Sequence, residues 1–284
     1  MLSVRGSNAA TTPSDRVIRS ILNTVPEWAL LVIVVVGLPA LAVGVFFVVR
    51  GRLDSWRTDS SSAIVVAVAV AVMVMTLFAL VLAFAAVNLY QGYNDASANV
   101  TDEANALGQI QRDVRVFPIP ARDRVDTQLI AYIDVVRNVE FPAMRDGNAT
   151  KVQAGVVATD KLFAAMQSYD PVTETQKTFY VSAVDRMNDL IALRRNRIAA
   201  SNSALPDSFT VLLLLTAGIS ILTTYFLRTH KPGLDVTLVV MVSVVVGAGL
   251  LTVVLLEYPF SGSVSVSSDP FVHGTLARLL AGKH

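Results

Sequence analysis

AIVVAVAVAVMVMTLFALVLAFAAV, residues 63–87, holds no Asp, Glu, Lys, Arg or His. It exceeds the ~20 apolar residues that a helix needs to cross the hydrocarbon core of a bilayer. Three further runs, 29–49, 209–227 and 236–256, are equally free of charge. Basic and acidic residues collect at the ends: Arg50 and Arg52 after the first run, Arg228 and Lys231 after the third, Asp235 and Glu257 around the fourth. The first run follows Arg16 and Arg19 and contains Ala40-Leu41-Ala42, the flanks of a secretory signal, but it continues apolar through Val43, Phe46 and Val49. A run that outlasts its cleavage point reads as an uncleaved span.

The composition agrees, with 53% hydrophobic residues and a mean hydropathy of +0.55 over 284 residues. The expected fold is therefore an all-α membrane protein with four transmembrane helices. They form two hairpins, 27–87 and 208–257, and a helical extramembrane stalk domain, 88–207, lies between the second and third spans. A mobile polar tail, 1–26, precedes them and a second tail, 258–284, follows. Four crossings put both termini and the inserted domain on one side. Orientation does not follow from charge: Arg16, Arg19, Arg194, Arg195 and Arg197 on the domain side balance Arg50, Arg52, Arg57, Arg228 and Lys231 on the other, which leaves the positive-inside rule without a majority.

The inserted domain carries its apolar residues at helical spacing. Val100, Ala104, Leu107, Ile110 and Val114 form one stripe; Val125, Leu129, Tyr132 and Val136 a second; Val152, Val156, Phe163 and Met166 a third; Tyr180, Val184, Met187 and Ile191 a fourth. Phe117-Pro118-Ile119-Pro120, Asp146-Gly147-Asn148, Asp170-Pro171 and Leu205-Pro206 break them apart. Between Ala63 and Val116 there is no Pro and one Gly, Gly92. The second span is thus expected to run on into the first soluble helix for ~80 Å at 1.5 Å per residue.

Several function classes lack their chemistry. With 23 Lys and Arg against 22 Asp and Glu, nothing pulls the chain toward nucleic acid. Cysteine is absent, and His230, His273 and His284 lie far apart, so no spacing for a metal site is present. No phosphate loop, nucleophile elbow or serine beside a histidine base occurs, and neither an enzyme nor a cofactor is expected. The spans hold no ionisable residue, the feature that coupled transporters place at mid-membrane.

On the second span, Leu77, Val81 and Phe84 share a face that continues as Asn88, Gln91 and Asp95. Such a face, repeated around an axis, gives an apolar neck that gates by dewetting and opens into a polar mouth. It is equally what any amphipathic helix shows on leaving a bilayer. Ala79, Ala83 and Ala86 form a small-residue face suited to close packing between copies. The hydroxyls of Thr216, Ser220, Thr223 and Thr224 on the third span serve either as helix glue or as a hydrated path. Arg194, Arg195 and Arg197 meet either anionic headgroups or stalk carboxylates such as Asp102, Glu103 or Asp113.

Five short segments resemble the bestrophin-like domain family of bacterial membrane proteins, distant relatives of bestrophin ion channels. They are Leu89-Tyr90-Gln91-Gly92-Tyr93-Asn94-Asp95, Glu103-Ala104-Asn105-Ala106-Leu107, Val139-Glu140-Phe141-Pro142-Ala143-Met144, Arg194-Arg195-Asn196-Arg197-Ile198 with Leu205-Pro206, and Tyr258-Pro259-Phe260-Ser261-Gly262. The resemblance implies a homo-oligomer in the cell membrane that conducts ions, with membrane lipid as its other partner and with the domain and both termini in the cytoplasm. Calcium-gated bestrophins follow a similar Pro-Phe turn with an acidic cluster. Here Ser263 to Ser268 precede a single carboxylate, Asp269, short of the six to eight oxygens that calcium takes, so calcium gating is not implied. The alternative to a channel is a non-conducting membrane-anchored module whose helical domain binds a partner or senses stress.

Overall fold

The computed structural model describes residues 13–53, 61–201, 205–227 and 232–282. Arg57, Arg228, His230, Lys231 and His284 lie outside the described residues, as do the side chains of Arg50 and Arg52. The described residues form twelve α-helices joined by short π and 3-10 turns, with no strand. Among the described residues, four helical segments are long and apolar enough to cross a membrane, as expected. The chain divides into two compact units: Val25–Gln91 with Ala204–Glu257, and Met1–Thr24 with Gly92–Ser203 and Tyr258–His284.

In the membrane unit, α2 (Glu27–Val32), a π-turn (Ile33–Gly37) and α3 (Leu38–Leu53) make the first span. The second is the first part of α4 (Ser61–Asp113), the third α10 (Asp207–Phe226) and the fourth α11 (Pro232–Glu257). Small residues set the helix approach. A Cβ on Gly247 would lie 2.7 Å from Val34 Cγ1, and one on Gly249 would lie 2.5 Å from Leu82 Cδ2. Glycine at these points lets neighbouring helices close in where lipid offers no hydrophobic drive for association. Phe78, Val81, Ala85, Leu213, Ala217, Val246 and Val253 form one buried cluster, and Ala42, Phe46, Tyr225 and Val239 another. Tyr225 Oη donates to the Ala42 carbonyl at 2.7 Å, tying α10 to α3. The hydroxyl stripe closes on its own helix. Thr216, Ser220 and Thr224 are buried and donate to carbonyls three or four residues back.

The soluble unit packs the second part of α4 with α5 (Ile119–Val135), α6 (Phe141–Arg145), α7 (Ala149–Val152), α8 (Ala154–Gln167) and α9 (Glu174–Ser201). The apolar stripes read from the sequence meet in one core, centred on Leu107, Ile110, Leu129, Leu162 and Met187. Val156 departs from its expected stripe: it is 41% exposed, and Ala158 and Leu162 face inward with the expected Met166. The helix starts follow local chemistry. Thr173 and Gln176 form a reciprocal capping box, with Gln176 N bonded to Thr173 Oγ1 and Thr173 N to Gln176 Oε1, both at 3.2 Å. Gly147, at φ 68°, ends α6 in the left-handed geometry that favours glycine.

Both chain ends differ from the expected tails. Phe260, Val266, Phe271 and Leu276 are buried in the soluble core, Leu276 on α12 (Gly274–Ala281). Residues 1–26 were expected to be a mobile tail, but Pro13–Thr24 is a helix, α1, and it docks within the same unit. Arg19, 3% exposed, donates to the carbonyls of Met144 at 2.9 Å and Ser201 at 2.6 Å and to Ser261 Oγ at 3.3 Å. Its guanidinium lies 4.8 Å above the Tyr258 ring. Asn23 Oδ1 accepts from Gly262 N at 3.0 Å and from Arg145 Nε at 3.1 Å. The polar average over 1–26 conceals that Val17, Ile18, Ile21 and Leu22 stand at helical spacing behind a proline at the first turn, where proline is tolerated.

Candidate functional site

The face expected on the second span is only partly continuous. Leu77 and Phe84 are 51% and 61% exposed, and Asn88 and Gln91 are exposed beside them. Asp95, four residues on along α4, is exposed in the soluble unit. Val81 does not share this surface: it is 9% exposed and belongs to the protomer's own core with Phe78 and Ala85. The reason is angular. At 3.6 residues per turn, Leu77, Phe84, Asn88, Gln91 and Asp95 fall within about 60° of arc, and Val81 lies at its edge, turned toward Phe78 and Ala85. Phe84 rests against Phe209 with ring centroids 5.7 Å apart, and Asn88 Nδ2 donates to the Phe84 carbonyl at 2.8 Å. Ala79 and Ala83 are exposed and Ala86 half-buried, on a second arc that the protomer leaves largely uncovered.

The soluble unit holds an ionic cluster built from three of the segments quoted above. Arg197, fully buried, bonds Glu103 Oε2 through Nε at 2.6 Å, Glu103 Oε1 through Nη2 at 3.1 Å and Glu140 Oε2 through Nη2 at 2.6 Å. Its Nη1 reaches Met144 Sδ at 3.5 Å, and its guanidinium lies 5.3 Å from the centre of the Phe141 ring. Arg194 pairs with Glu140 and donates to the Val152 carbonyl at 2.9 Å. Tyr132 Oη completes the set by donating to Glu103 Oε1 at 2.7 Å. Two carboxylates thus face two guanidiniums with no net charge, the condition under which buried ions are tolerated.

Burial alone would lower the Arg197 pKa, but the charge and hydrogen bonds of Glu103, then the charge of Glu140, outweigh it and hold the pKa above its ordinary value. Burial, followed by the Glu103 charge, pushes the Tyr132 phenol well above its usual range, so this group stays a donor.

The backbone aims these groups. Pro142 has no N–H and its ring crowds the carbonyl four residues back, and the ladder immediately before it widens into a π-turn over Val136–Glu140. Glu140, at the end of that turn, is fully buried. Gly155 opens α8 against the same carboxylate. A Cβ there would collide with Glu140 and lie 2.7 Å from Arg194 Nε, and the cluster therefore requires glycine at this position.

Of the pairings weighed for the basic cluster, Glu103 meets Arg197. Asp102 and Arg195 are exposed, and Asp113 accepts from Ser182 Oγ at 2.8 Å. The role of Glu140 was not apparent from composition, although a signal exists. Val136, Glu140 and Met144, like Met187, Leu190, Arg194, Arg197 and Ser201, run three or four residues apart along core faces. Charges at core register mark paired burial.

A family model, the bestrophin-like domain, matches residues 36–271. The chain belongs to this family. The match takes in all five motif segments and both uncovered arcs of α4, and leaves out α1. No curated protein matches the sequence. Among solved structures, two single-residue variants of a bacterial bestrophin homologue from Klebsiella pneumoniae superpose with a TM-score of 0.64. They are 14% and 13% identical, covering 88% of this chain and 98% and 96% of theirs. A variant of a membrane protein superposes with a TM-score of 0.62 at 13% identity, covering 88% of this chain and 97% of its own. At these identities the likeness is one of fold, and the bestrophin-like fold is the one built above.

Proposed function

We propose that several copies of this bestrophin-like chain surround an axis lined by α4 and form a passive ion channel. Leu77 and Phe84 make its apolar neck, and Asn88, Gln91 and Asp95 its polar mouth. The observation that carries the reading is the arc of α4 that stays uncovered within the protomer and turns from apolar to polar along its length. In such a neck the barrier to ions is the cost of wetting it, and a carboxylate at the mouth enriches cations in a salt-dependent way. Val81, buried in the protomer, is left out of the neck. The absence of ionisable residues within the four runs favours passive conduction over coupled transport.

Ala79, Ala83 and Ala86 would pack the copies together, since small residues let helix backbones approach closely. Replacing Ala83 with Leu should crowd that contact and shift the detergent-solubilised complex to fewer copies in native mass measurement. An unchanged mass removes this arc from the interface.

The proposal puts the soluble unit and both termini in the cytoplasm, the side that the family resemblance implies. Reporter fusions at Asn148 and at the C-terminus should then both register cytoplasm. Periplasmic activity at either site reverses the orientation.

A second reading, a non-conducting anchored module, draws on the soluble unit's buried ionic core. It demands nothing of the α4 arc except packing.

A further inference from the structure

The docked face of α1 does not coincide with its apolar face. Val17, Ile18, Ile21 and Leu22 form one arc of the helix, whereas the docked side is made by Asp15, Arg19, Leu22 and Asn23. The centres of the two arcs differ by about 120° at 3.6 residues per turn. The helix consequently buries a guanidinium while Val17 and Ile21 stay 59% and 46% exposed. An exposed aliphatic pair on a short helix calls for a cover that the described residues do not supply.

Chain connectivity says what that cover is. Thr24 ends α1 and Glu27 begins the first membrane helix. Three residues span at most about 11 Å when fully extended, which keeps the C-terminal end of α1 close to the point where the first span begins. Trp28, 71% exposed at the start of that helix, is the residue type that settles at the headgroup level. Ser20 and Arg16, exposed on the polar side of Val17, suit a helix lying in the plane of the interface.

We propose that α1 is an interfacial anchor: Val17 and Ile21 insert at the boundary between headgroups and acyl chains while Arg19, Leu22 and Asn23 hold the turn Tyr258–Gly262. Both arcs are then satisfied at once. Because the protein-facing arc grips the residues that directly follow the fourth span, the anchor ties that turn to the membrane surface. The inference is independent of conduction and concerns a segment outside the family match.

The chain has no cysteine, which allows single-site labels on the full-length protein in phosphatidylcholine nanodiscs. Val17→Cys, Ile21→Cys and Ser20→Cys each carry a nitroxide, and collision rates with oxygen, which partitions into lipid, are compared with those of a water-soluble nickel chelate. Oxygen should dominate at positions 17 and 21 and nickel at position 20, a reversal within one helical turn. Labels at these exposed positions leave the Arg19 contacts in place, and a wild-type elution volume verifies folding. Nickel dominance at all three positions overturns the proposal. Shielding of 17 and 21 from both reagents also overturns it, since a second protein surface would then be the cover.

Discussion

Arg197→Ala is expected to destabilise the soluble unit by about 3–5 kcal/mol, the cost of removing one partner from a buried ion pair. Among the described residues, Arg197 is the only group that bonds both Glu103 and Glu140. Its loss leaves Glu103 with the Tyr132 hydroxyl alone, a buried carboxylate without a guanidinium, while Glu140 keeps Arg194. Chemical unfolding of the detergent-solubilised chain, followed by near-ultraviolet circular dichroism, reads the effect. Arg195→Ala, at an exposed neighbouring position, should stay within about 0.5 kcal/mol of wild type. Arg197→Lys should recover only part of the loss, because a point ammonium does not reproduce a planar fork that bridges two carboxylates. Equal stability of the Arg197→Ala and Arg195→Ala variants would show that the cluster does not hold the unit together.

Phe84→Ser is expected to raise ion leak through reconstituted liposomes at least tenfold, the rate equivalent of about 1.4 kcal/mol removed from the barrier. Phe84 is 61% exposed and meets Phe209 in a single tilted ring contact, and the substitution therefore removes little internal packing. What changes is the polarity of the surface that the proposed neck presents to water, and dewetting depends on that polarity. Flux equal to wild type across voltage and pH, in a variant that retains its oligomeric mass, would place the barrier away from Phe84.

The sequence made the spans legible because each is a charge-free run of membrane length, and lipid imposes that pattern without regard to tertiary context. The four soluble stripes were legible for the same kind of reason, a period set by the helix itself. Val156 misled because Val152, Val156, Phe163 and Met166 fit a stripe that ignores the break between α7 and α8 at Gln153. The site was half legible. Glu103 is one of the carboxylates open to the arginine cluster, whereas Glu140 lies one turn beyond Val136, where the second apolar stripe ends, and its core register between Val136 and Met144 shows only when charged residues are read on the same face. Val81 was assigned to the neck because it lies within one turn of both Leu77 and Phe84. Its burial is decided by Leu213 and Val246, on helices more than a hundred residues away in sequence. The helix α1 is hidden in the sequence because residues 1–26, about twice its length, are polar on average.

Conduction along the α4 arc is tested most directly at Gln91, which is exposed on that arc in a chain free of cysteine. Gln91→Cys, reconstituted into liposomes, is treated with a positively charged methanethiosulfonate while cation flux is recorded and labelling is quantified by mass. If Gln91 lines the mouth, full labelling should suppress cation flux, and a negatively charged reagent should spare or raise it. Complete labelling with flux unchanged by either reagent would contradict a pore lined by this face of α4.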